Sequence, residues 1–181
     1  MSQLSHFDYD TASEAARAEH DREVALRGRM TNMKRTLLHS PAAHRIYAEW
    51  FTLREELRPA LDDRAVWLFC LSISLESRSI IPVGFFRRAL INAGLTPDAV
   101  VATENEALLM EFGKAIVVDA NVVPQELWDR LKARYDEPTL VNLVAFAGIM
   151  IATAVFNNVV EVDVDAELGP YLEGFELPAR S

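Results

Sequence analysis

Cysteine is almost absent from this sequence, with Cys70 the lone one among 181 residues. No intrachain disulfide can form, and a reducing compartment, the cytoplasm, is the expected setting. Basic residues are also in short supply. The 18 Lys and Arg stand against 27 Asp and Glu, a formal charge of −9, whereas a nucleic-acid surface needs a basic footprint. The seven glycines build no phosphate-cradling loop, and neither a Ser-His-Asp order nor zinc-ligand spacing is present. His39 and His44 lie five residues apart, off the spacing that puts two ligands on one helix face. With no further His or Cys cluster, no metal and no cofactor is expected. Those two histidines read as surface or capping groups. The opening MSQLSHFDYD lacks the apolar stretch of a signal peptide. No segment alternates apolar and polar residues over a useful length, so the pattern predicts an all-α chain.

What is present is a string of helix signals. Thr11 to Glu14 reads as a capping box opening a helix to Arg29, whose apolar face (Ala15, Ala18, Val24, Leu26) is thin. Ser40-Pro41 starts a helix to Glu56, and Asp62 or Asp63 caps the next. Thr103 and Glu106 form a second capping box, Pro124 opens another helix, and Glu137-Pro138 opens a long one to about Val160. Its segment Leu143–Phe156 is uncharged over about 14 residues, short of the roughly 20 that cross a bilayer, and reads as a core helix or an oligomer interface rather than a membrane span. The acidic tail from Glu161 is expected to wrap a surface without regular structure. The reading is a single domain of about seven or eight helices, divided as an arm over 1–29, a body over 30–165 and a tail over 166–181.

The centre of the chain is Arg64 to Leu95, RAVWLFCLSISLESRSIIPVGFFRRALINAGL. It reads as two buried helices meeting at a bend near Ser79, with Ser79 as N-cap and Pro82 in the following first turn. With Met30–Trp50 upstream and Ile151–Asp165 downstream, this stretch resembles the carboxymuconolactone decarboxylase family, which includes the alkylhydroperoxidase D-like (AhpD-like) proteins. The resemblance implies an AhpD-like helical bundle that assembles as a dimer, trimer or hexamer. Redox members carry Cys-x-x-Cys and then a His. By that alignment Ser79 and Pro82 stand at the cysteine positions, Phe86 at the His position, and the upstream proton-relay Glu falls near Trp67. A helix N-terminus activates a thiol by lowering its pKa, but it leaves a serine hydroxyl protonated unless a base is adjacent. Serine and proline also cannot cycle through a disulfide.

Candidate site residues follow from the polar break in this stretch. Glu76 is a candidate general acid or base beside Ser79, or else the ion-pair partner of Arg78, Arg87 or Arg88. Arg87 or Arg88 could clamp a small carboxylate ligand bidentately, or form ordinary salt bridges. Tyr47 and Trp50 share a helix face and could wall a pocket with Phe85 and Phe86, or be plain core. Cys70 reads as a buried small hydrophobe. Three functions stand open: a family member without thiol peroxidase activity that binds a small molecule or serves assembly; a cofactor-free decarboxylase or lactone-processing enzyme using Glu76 with Arg87 or Arg88; and a peroxidase acting through Cys70 alone.

Overall fold

The computed structural model describes residues 2–178, and all regular structure among them is helical. In chain order the elements are α1 (Glu14–Arg27), α2 (Asn32–Leu37), α3 (Pro41–Ala48), α4 (Trp50–Leu57), α5 (Asp63–Glu76), α6 (Ile80–Asn92), a 3-10 turn (Pro97–Ala99), α7 (Glu104–Asp119), α8 (Gln125–Lys132), α9 (Glu137–Val160), a second 3-10 turn (Ala166–Leu168) and α10 (Gly169–Leu172).

Local chemistry sets most of these boundaries. Asp62 accepts the Ala65 N–H at 2.8 Å and starts α5, and Asp136 does the same for α9 through Thr139. The Thr103–Glu106 capping box opens α7 with both reciprocal bonds made. The opening of α1 differs from expectation. Ser13, not Thr11, is the cap, accepting the Ala16 N–H, while the Thr11 hydroxyl turns back to Asp8. Gly28 ends α1 at φ 72°, where a side chain would be strained.

Helix α5 is the axis of the bundle, with α7, α6 and α9 packed around it. Phe69 is wholly buried on α5, between Phe112 of α7 and Phe146 of α9. The rings stack at 6.3 and 6.4 Å between centroids and within 17° of parallel. Trp50 of α4 lies against the outer face of Phe146 at 5.0 Å, so four aromatic rings run across four helices. Close approach of α7 to α5 depends on Gly113, where an added Cβ would lie 2.6 Å from Ser72 Oγ and 3.1 Å from Phe69.

The expected continuous helix from Pro41 to Glu56 is broken at Glu49, with neither proline nor glycine there. Packing is what distinguishes the position. The Trp50 indole N–H is 2.9 Å from Met150 Sδ and its ring is fixed on Phe146, so the α4 contact with α9 overrides local pattern. The tail is also more ordered than expected. Leu168 is fully buried with Ile81, Val160 and Val162, and Leu168 and Leu172 close over Gly84 of α6. The last residues of that predicted tail, 179–181, lie outside the described residues.

Helix α9 runs from Glu137 to Val160 as expected, and at 24 residues it could cross a membrane by length and composition alone. One side of it (Leu143, Phe146, Ala147, Met150, Ala154) faces the bundle. The other side carries Val141, Val144, Gly148, Val155 and Val159 outward with no charge among them.

Candidate functional site

The helices α5 and α6 meet at Ser77-Arg78-Ser79, the junction expected from sequence. Arg78 makes the turn in the left-handed region at φ 54°, and its guanidinium donates to the Pro178 carbonyl. Ser79 is the residue preceding α6, in an extended conformation, but its hydroxyl caps nothing. The side chain is wholly buried, and Oγ has no hydrogen bond among the described residues.

Beside this junction lies a cavity of about 410 Å³. Its floor comes from α6 and α9, through Pro82, Phe86, Met150 and Asn157. Its aromatic wall holds Tyr47, Trp50, Phe51, Trp67 and Phe85. The end of the arm (Arg27, Arg29) and the segment through α2 (Thr31, Met33, Lys34, Leu37) close the remaining side. Tyr47 is held by a hydroxyl bond to the Ala152 carbonyl, and burial raises its pKa. Tyr47, Trp50, Phe85 and Phe86 therefore do come together as a pocket wall. Pro82 and Phe86, the positions that the family resemblance would give to a cysteine and a histidine, face the same space.

The polar candidates do not join them. Glu76 lies 3.8 Å from Lys114 on α7, not beside Arg78, Arg87 or Arg88. Arg87 is fixed by Asp98 at 2.6 Å and by the Tyr171 carbonyl, and its guanidinium covers the Phe175 ring. Arg88 is paired with Glu167 at 2.7 Å. None of the three lines the cavity. The cause is the partners that take the two arginines: the Glu167 carboxylate of the tail holds Arg88, and Asp98 with the tail's Tyr171 carbonyl holds Arg87. Ser79 faces a second, smaller recess with Asn157 and Val162. Cys70 is fully buried inside α5, and burial pushes its thiol well above the usual value.

Sequence reasoning missed the arm. The inner face of α1 is not apolar; it is Ala16, Glu19 and Glu23, with both glutamates at most 2 % exposed. Val24 and Leu26 point outward. Glu19 receives His44 Nδ1 at 2.9 Å, Arg22 and Arg45. Burial alone would raise its pKa, but these three hydrogen bonds outweigh burial and hold it at about 2. Glu23 Oε1 accepts from Lys34 and forms an ion pair with Arg27 Nε at 3.3 Å, and Arg27 lies 3.6 Å above the Phe51 ring. His44 is thus neither a surface nor a capping residue. It is 1 % exposed and forms part of the cavity wall, and its Nε2 has no hydrogen-bond partner among the described residues. The only signal in the sequence was a spacing of i, i+4 between Glu19 and Glu23 on a helix short of apolar residues.

Among the described residues, no group of three or more His, Cys, Asp or Glu could hold a metal ion. Compared with known proteins, the chain matches no family model, and no curated protein matches it significantly.

Proposed function

We propose that this chain is a carboxymuconolactone decarboxylase-like, AhpD-like cytoplasmic protein that has no thiol peroxidase activity and binds a small molecule. The observation that carries this reading is the cavity beside the α5–α6 junction, walled by Pro82 and Phe86 and lacking any thiol. Its volume and its mainly apolar and aromatic lining, with a minority of polar and charged side chains, are those of a ligand pocket. The buried, protonated thiol of Cys70 supports the loss of peroxidase chemistry. The separation of Glu76 from Arg87 and Arg88 removes the support for an acid–base enzyme built on those three.

The test has two arms. Purified protein with hydrogen peroxide and dithiothreitol should show no turnover above that of Cys70→Ser, and cysteine-dependent turnover would overturn the reading. Emission from Trp50 and Trp67, which both line the cavity, should respond to small apolar ligands.

An assembly role is favoured by a separate observation. The outward stripe of α9 runs from Val141 to Val159, about 27 Å of helix without a charge. Gly148, midway between Val141 and Val155, has open space around it, which lets another backbone come close. A two-fold pair crossing at Gly148 would match the stripe to itself, as an isologous interface requires. The proposed occupant is therefore a second copy of this chain. Light scattering should give a multiple of the single-chain mass, and Val155→Glu should reduce it to one chain; an unchanged mass in the variant would place the interface elsewhere.

A further inference from the structure

The cavity has a charge bias that the chain as a whole does not share. The protein is acidic, with 27 Asp and Glu against 18 Lys and Arg, yet the wall includes four of the cations and none of the acids. Those cations are Arg27, Arg29, Lys34 and Arg54. Arg27 and Lys34 flank the Phe51 ring and share a single carboxylate, Glu23, which stands behind the wall. Two positive charges against one leave a positive charge uncompensated there.

Buried polar groups without partners lie in the same wall. His44 is 1 % and Asn157 is 4 % exposed, and both line the cavity. His44 Nε2 and both amide atoms of Asn157 make no hydrogen bond among the described residues. Such groups are costly to leave unsatisfied, and a ligand's polar end would satisfy them. Glu19 holds the other histidine nitrogen, so the ring is fixed in orientation.

We propose that the cavity takes a monoanionic amphiphile, an apolar acid whose chain or ring lies against Trp50, Pro82 and Phe86. Its acid group faces the Arg27–Lys34 edge, with the Asn157 amide N–H as a further donor. This rests on the small-molecule reading above and names the ligand class. The geometry favours an acid over a neutral or cationic amphiphile because the wall holds no carboxylate: Arg29 and Arg54 are paired with Glu167 and Asp63 outside it, and Arg27 with Lys34 keeps one positive charge beyond what Glu23 balances.

The test is calorimetry on the full chain with three probes of one length: decanoate, decanol and decylammonium. Decanoate is expected to bind at least tenfold more tightly than decanol, and decylammonium most weakly. In Lys34→Gln, where Arg27 still pairs with Glu23, decanoate should lose at least fivefold while decanol stays within twofold. Should that variant fail to fold, Arg27→Gln carries the same comparison, since Lys34 then keeps Glu23 to itself. Equal affinity for all three probes, or a decanoate affinity untouched by the variant, overturns the anion proposal and leaves small-molecule binding standing. No binding by any probe overturns both.

Discussion

Glu19 of α1 and His44 of α3 are 25 residues apart in the chain and meet at 2.9 Å, both almost completely out of solvent. The pair joins the arm to the wall of the cavity. Glu19 has a folded pKa of about 2 against an ordinary 4.5. A depressed carboxyl contributes stability above its unfolded value, and loses it as pH falls through 4.5 towards 2. Stability should therefore fall over that window by about 2–3 kcal/mol from this group. Urea melts at pH 6, 4 and 3 measure it, and Glu19→Gln should flatten this part of the profile.

Cys70 is expected to be inert in the folded chain. A thiol reagent such as dithionitrobenzoate should label no thiol in native protein and one after denaturation. Labelling of the native protein at the rate of a free thiol would contradict its burial in α5.

Gly113→Ala should destabilise by about 1–3 kcal/mol, the range for overpacking a close helix contact. Ser72 Oγ could rotate away from the new methyl, but Ile73 at 3.0 Å and Phe69 at 3.1 Å sit within the core. Thermal melts should show the drop, and near-ultraviolet circular dichroism should show disturbed aromatic packing.

Glu161 ends α9 at φ 53°, a left-handed cap without glycine. Glu161→Gly should relieve that strain and raise stability by about 0.5–1 kcal/mol, less the loss of its hydrogen bond from Gln3. A lower melting temperature would show that the Gln3 contact outweighs the backbone term.

Much of the framework was legible before any coordinates. Asp62, Thr103 with Glu106, and Glu137-Pro138 announce helices through chemistry local to three or four residues, and α5 declared its burial by being apolar nearly all round. The α5–α6 bend and the aromatic group of Tyr47, Trp50 and Phe86 were readable for the same reason. What stayed hidden depended on distant partners. The break at Glu49 follows from Trp50 meeting Met150, a hundred residues away. The arginines of α6 drew attention as ligand clamps, but Asp98 and Glu167 take them, and no local pattern foretells such pairings. Buried glutamates on α1 read as surface charge because composition cannot say which way a charge faces.

The arm has a different kind of attachment from the rest of the molecule. Grease holds α5, α7 and α9 together, whereas protonatable anchors hold α1. Acid should consequently peel the arm away first, baring Phe51 and Phe86 while the aromatic column stays intact. A dye that lights up on apolar surface would then brighten before the helical signal falls, and any bound cargo would leave at that step.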